Sequence, residues 1–247
     1  MTDDLWGDAA ADSYDQSVDP MFSAAAIDPA VDVLAVLARE GSALEFAIGT
    51  GRIALPLAAR GIAVHGIELS EAMVRRLRAK PGGEAIPVTI ADMSTPPAEG
   101  STLASFALVY LVFNTIMNVT TQVGQVGVFR NAAAHLRPGG VFVIETGIPD
   151  LQRLPVGSRF VPFEVADHHL GFDEYDVVGQ GLVSHHYTRR EDGRFEYVAA
   201  PFRYVWPAEL DLMAELAGLK LRDRWADWSR APLIAESRSH VSVWEKI

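Results

Sequence analysis

Apolar positions along the chain follow two rhythms, and the change between them divides the sequence. Val31, Leu34, Ala35, Leu37 and Ala38 recur at helical spacing. Asp28-Pro29 before them and Gly41 after them predict a helix with Asp at the N-cap, Pro at the first helical position and Gly past the end. Strand-length apolar runs at 43–48, 62–67, 86–90, 106–113 and 141–145 then alternate with helical patterns at 52–60, 70–79 and 121–136. The run 106–113 is almost wholly apolar, as a strand covered on both faces must be. This alternation predicts a parallel sheet with helices on both faces.

Past residue 146 the period shortens to two. Alternating segments begin after Arg159 and recur around 168–176, 180–188 and 195–204, with Asp192-Gly193 as a hairpin turn between the last two. Helical spacing returns after Pro207 with Leu210, Met213 and Leu216, Gly218 stops it, and strands at 219–225 and 239–245 finish the chain. The expected class is α/β: a doubly wound, mostly parallel seven-stranded sheet with an antiparallel β insert after strand five. Three units follow: 1–146, with the N-terminal helices and the glycine-loop half of the sheet; 147–205, the β insert; and 206–247, the closing helix and last two strands.

Charge and composition narrow the function. The absence of cysteine excludes disulfides, thiolate metal sites and cysteine nucleophiles. A net charge of -11 lacks the footprint of a chain that grips phosphate backbones or anionic membranes, so neither nucleic acid nor membrane is an expected partner. No apolar run approaches the ~20 residues of a membrane helix. Met1-Thr2-Asp3-Asp4 is acidic where a secretory signal is basic, so the expected location is cytoplasmic.

Gly49-Thr50-Gly51 follows the first strand and precedes a helix, where glycine lets a ligand approach backbone amides closely. Gly49-x-Gly51-x-x-Ala54 also fits a dinucleotide fingerprint, and a tight turn without any ligand is the plainer alternative. Glu68 just beyond the second strand suits a ribose diol, because a carboxylate only accepts hydrogen bonds. Asp92 follows the third strand at a similar interval. Together the three point to one crevice, for a nicotinamide cofactor or for S-adenosylmethionine. Glu45, inside the first strand, favours a ligand with a cationic ammonium end and no pyrophosphate.

At this point the chain resembles the class I S-adenosylmethionine-dependent methyltransferases, of small-molecule type and Rossmann-like fold. The matching segments are Leu44 to Arg52, Gly66-Ile67-Glu68-Leu69-Ser70, Ile90-Ala91-Asp92-Met93 and Leu136-Arg137-Pro138-Gly139-Gly140. Ala47 stands where many members have glycine. The resemblance implies that Gly49 and Gly51 give the methionyl moiety backbone access, with Glu45 orienting it and Ala47 in the same loop. It further implies that Glu68 takes the ribose hydroxyls, Asp92 the adenine amino group, and Leu69 and Met93 the two faces of the ring. Phe113 and Asn114 would floor the site of the reactive methyl, and Tyr14-Asp15 resembles a lid pair over the cofactor.

The insert resembles the substrate cover of small-molecule members. A histidine titrates near neutrality and suits a base, so His186 and His169 are the catalytic candidates. Asn118, Arg203 and Tyr204 are candidate acceptor contacts. Cross-strand polar contacts and sheet packing are the plainer reading of the insert's histidines and aromatics, and no metal site is expected. The expected activity is methyl transfer from S-adenosylmethionine to N or O of a small-molecule acceptor. An NAD-dependent oxidoreductase and a non-catalytic S-adenosylmethionine-binding module are the alternatives. Oligomeric state is open, a homodimer being one option.

Overall fold

Helix α1 (Ala24–Ala38) begins a turn earlier than its punctuation suggests. Ser23 occupies the N-cap position, its carbonyl accepting from Ala26 and Ile27, and Pro29 lies inside the helix. An interior proline loses one helical hydrogen bond. Against that loss, the added turn buries Ile27, and Ala30, Val31, Val33 and Leu34 continue the same buried face. The computed structural model describes Ala11, Tyr14 and residues 23–39, 41–97 and 105–247; Asp15 and the acidic start Met1 to Asp4 lie outside these.

Beyond α1 the chain runs β1 (Ala43–Phe46), α2 (Ala54–Ala59), β2 (Val64–Glu68), α3 (Glu71–Arg78), β3 (Val88–Ile90), β4 (Phe106–Leu111), α4 (Gln122–His135) and β5 (Leu136–Gly147). The insert follows as β6 (Phe160–Val165), β7 (His169–Asp176), β8 (Gly181–Arg189) and β9 (Phe195–Arg203). Helix α5 (Pro207–Leu216) and strands β10 (Leu219–Trp225) and β11 (Ser239–Lys246) close the chain.

Seven strands form one sheet in the order β3-β2-β1-β4-β5-β11-β10. β1 pairs in parallel with β2 on one side and β4 on the other, so the strand order reverses there and a crevice opens at the carboxyl ends. Only β11 runs against its neighbours β5 and β10. One face buries Ile48, Leu108 and Val143 against α1, Leu57 of α2 and Leu77 of α3. The other packs Phe46, Phe142 and Trp244 against Phe129 of α4 and Leu210 of α5. The insert is a separate antiparallel sheet, β6-β7-β8-β9, with the β8–β9 turn where sequence placed it: Gly193, at φ 82°, donates to the Arg190 carbonyl.

Candidate active site

The loop after β1 turns on three left-handed residues, Ala47 (φ 51°), Gly49 (φ 55°) and Gly51 (φ 82°). An L-residue such as Ala47 costs roughly 1–2 kcal/mol there, which is the physical meaning of the glycine usual at that place. Gly51 has a second constraint, since a Cβ on it would lie 2.4 Å from Leu77 of α3.

Glu68, at the end of β2, holds this loop. Its carboxylate accepts from the amide of Gly49 at 2.8 Å, of Leu69 at 2.9 Å and of Ser70 at 2.8 Å. Three of a carboxylate's roughly four acceptor positions are thus filled from the backbone, leaving capacity for a ligand hydroxyl. Ser70 then caps α3, its hydroxyl accepting from Met73.

A cleft of about 360 Å³ opens above these loops, of a size suited to a small organic ligand. It gathers Tyr14, Ala47, Gly49, Glu68, Leu69, Asp92 and Met93, all named from sequence as cofactor residues, and Asn118, named as an acceptor contact. Tyr14 packs against the small cluster of Ala11, Ala72 and Met73. Leu69 is 66% exposed, an apolar platform at the cleft's edge, and Asp92 is exposed with Oδ1 accepting from the Ser94 amide. The far wall was missed from sequence. It is Thr115, Val119, Thr120, Thr121 and Gly124, with Pro201 reaching in from β9. The polar run past strand four was the available signal.

Glu45, Gly51, Phe113 and Asn114 stand outside this lining. Glu45 is buried within β1 and accepts from the Tyr110 hydroxyl at 2.9 Å. Burial pushes its carboxyl up to about 8, against the opposing pull of Tyr110 and of Arg52. The same burial, with the Glu45 charge beside it, pushes the Tyr110 hydroxyl well above the usual phenol range. Phe113 and Asn114 both lie at φ 59°, and the Arg52 guanidinium lies 4.7 Å from the Phe113 ring centre.

The histidine candidates are not brought to the cleft. Pro201 pairs with Val183 across β8 and β9, and side chains alternate along a strand. His186, three residues from Val183, therefore projects from the opposite face, and His169 meets it there. His169 Nε2 contacts His186 Nδ1 at 3.1 Å, His169 Nδ1 contacts Glu164 at 2.8 Å, and His186 Nε2 contacts the Ser184 hydroxyl at 3.3 Å. Burial and the neighbouring His169 lower the His186 pKa. The pair joins β6, β7 and β8 and does not line the cleft.

Arg203 and Tyr204 are likewise taken up by packing. Arg203 ion-pairs with Glu209 of α5 at 2.7 Å and bonds Gln180, while Gln125 of α4 donates to the Arg203 and Ile116 carbonyls. Burial works to raise the Glu209 pKa, but hydrogen bonds from Arg203, Gln180 and Gln122 overcome it and hold the carboxyl low. Tyr204 is buried beside Tyr175, with ring centres 5.9 Å apart. These residues fasten the insert to the body and to the 115–118 wall.

Comparison with known proteins agrees with this geometry. A family described as a methyltransferase domain matches residues 43–140, which span the glycine loop, Glu68, Asp92 and β4. The CcbJ methyltransferase from Streptomyces caelestis superposes with a TM-score of 0.81 at 35% identity, covering 98% of this chain and 97% of that one. A cypemycin N-terminal methyltransferase from a Streptomyces species is 26% identical over 216 residues, 82% of each chain. CalS10, an amino pentose methyltransferase from Micromonospora echinaspora solved with S-adenosylmethionine bound, shares the fold with a TM-score of 0.65 at 20% identity, over 98% of this chain and 92% of that one.

Proposed function

The chain belongs to the class I S-adenosylmethionine-dependent methyltransferases acting on small molecules, and we propose that its acceptor atom is an amine nitrogen. One observation carries this reading: among the described residues, no histidine, lysine or cysteine lines the cleft, and its two carboxylates, Glu68 and Asp92, are the ones that suit the cofactor's ribose and adenine. A hydroxyl acceptor arrives protonated and needs a base near neutral pH, whereas a free amine already offers a lone pair. Relatives described as acting on an N-terminus and on an amino pentose support the same choice.

The residues present fit the cofactor. Glu68 retains acceptor capacity for the ribose, Asp92 can accept from an adenine amino group, and exposed Leu69 with Met93 offers apolar faces to a flat ring. The left-handed turn at Gly49 opens the backbone to the methionyl end. When bound, the cofactor supplies a methyl group on a sulfonium sulfur, so the protein's task is to place the nucleophile and exclude water. Tyr14 and the 115–121 wall close two sides of that space, and the insert bounds it at Pro201. A cytoplasmic location, with no nucleic acid as acceptor, completes the proposal.

Paired acceptors test the nitrogen assignment. Incubation with D-glucosamine and dialanine, and with their N-acetyl forms, is expected to give S-adenosylhomocysteine and N-methyl product only from the free amines. Methylation of hydroxyls in the N-acetyl forms would overturn it.

A further inference from the structure

The end of β5 meets the left-handed turn that follows β4. Glu145 accepts there twice: Oε2 takes the Phe113 amide at 3.0 Å and its carbonyl takes the Asn114 amide at 3.2 Å. The Asn114 side chain returns the contact, accepting from the Gly147 amide at 2.6 Å. Two consecutive residues at φ 59° are costly for L side chains, so a surrounding structure must hold them, and β5 does so through these bonds. Thr115, the next residue, already lines the cleft.

A hydrogen-bond acceptor of any kind would satisfy the Phe113 amide. The residue present is a carboxylate, half-buried, and its Oε1 has no partner among the described residues. It forms no ion pair with a lysine or arginine there, whereas Glu209 and Glu174 each hold an arginine. Glu145 thus has a carboxylate oxygen beyond what its structural bond requires; it lies outside the cleft lining, at the carboxyl edge where Phe113 and Asn114 lead into Thr115 of the wall.

We propose that Glu145 is the residue that holds the amine acceptor, receiving its nitrogen at the free carboxylate oxygen. This rests on the nitrogen reading above. As the nitrogen lone pair forms the new N–C bond, the C–S bond breaks and its electron pair stays on sulfur. The positive charge passes to nitrogen, which afterwards gives a proton to water. A fixed carboxylate beside that nitrogen favours the charge as it develops.

Two variants separate holding the acceptor from supporting the turn. Glu145→Gln keeps an oxygen for the Phe113 amide and removes the charge; Glu145→Ala removes both. For Glu145→Gln the melting temperature and the calorimetric affinity for S-adenosylhomocysteine should match wild type. Its affinity for glucosamine or dialanine, whichever the wild-type enzyme methylates, measured by calorimetry with S-adenosylhomocysteine present, should fall about tenfold, and kcat/KM by at least as much. Glu145→Ala should also lose melting temperature. Wild-type acceptor affinity and turnover in Glu145→Gln would show that Glu145 only supports the turn, and would overturn the proposal while leaving the nitrogen reading intact. A wild-type enzyme that methylates neither amine overturns both.

Discussion

The Tyr110 hydroxyl donates to the Glu45 carboxyl at 2.9 Å across the β1–β4 pairing, and neither residue reaches solvent. This buried pair lies beneath the glycine loop and makes stability depend on pH. Burial raises Glu45 from 4.5 to about 8, so between those values the folded chain holds a proton that the unfolded chain has lost. Stability therefore falls as pH rises through that window and levels off above about 8, by an amount on the order of 5 kcal/mol over the whole span.

His240 acts in the opposite sense. Burial, then the Arg224 charge, lowers it from 6.5 to about 4, so its contribution is lost as pH falls through that range. Above 6.5 the Glu45 effect stands alone. Glu45→Gln should hold a constant denaturant midpoint between pH 6.5 and 8 while wild type declines. Parallel midpoints would mean that Glu45 is ionised in the folded chain.

Glu68 joins both loops of the cleft through three backbone amides, so its loss touches the fold as well as the ligand. Glu68→Ala should lower the melting temperature of the ligand-free protein, an effect of roughly 1–3 kcal/mol, and weaken S-adenosylhomocysteine at least tenfold. The sequence alone suggested a carboxylate at a strand end whose one task is the ribose hydroxyls. A wild-type melting temperature would restore that simpler view.

Arg203 gives the clearest contrast between a support and a substrate contact. Replacing it by leucine leaves Glu209, 15% exposed in its side chain, without its ion-pair partner. Breaking such a pair costs about 3–5 kcal/mol. Thermal melting of Arg203→Leu should show that loss, with acceptor KM unchanged at temperatures where the variant stays folded. A raised KM at full stability would return Arg203 to the acceptor site.

The strand–helix alternation made the sheet legible, because buried parallel strands and amphipathic helices leave distinct periods in sequence. One wall of the cleft was legible for a related reason: Gly49, Glu68 and Asp92 each follow a strand, and strand ends converge on one edge. The acceptor side was not. Adjacent histidines must face opposite ways, but which way depends on how β9 seats Pro201 against the cleft, a tertiary fact with no local signature. Glu145 reads as one polar residue at the end of an apolar strand, and its bonds to Phe113 and Asn114 depend on the β4–β5 register. Pro29 misled for a different reason. It has the same punctuation at a helix start as inside a helix whose buried face repays the missing bond.

Leu69 offers the most direct measurement on the cleft itself. It is 66% exposed in the ligand-free protein, so truncating it should leave the melting temperature unchanged, whereas an adenine ring laid against it would lose apolar contact. Calorimetric titration of S-adenosylhomocysteine into wild type and Leu69→Ala compares the two directly. The expected result is binding by wild type and affinity about tenfold weaker in the variant. Equal affinity in the two proteins, or no binding by wild type, would contradict the assignment of this cleft to the cofactor.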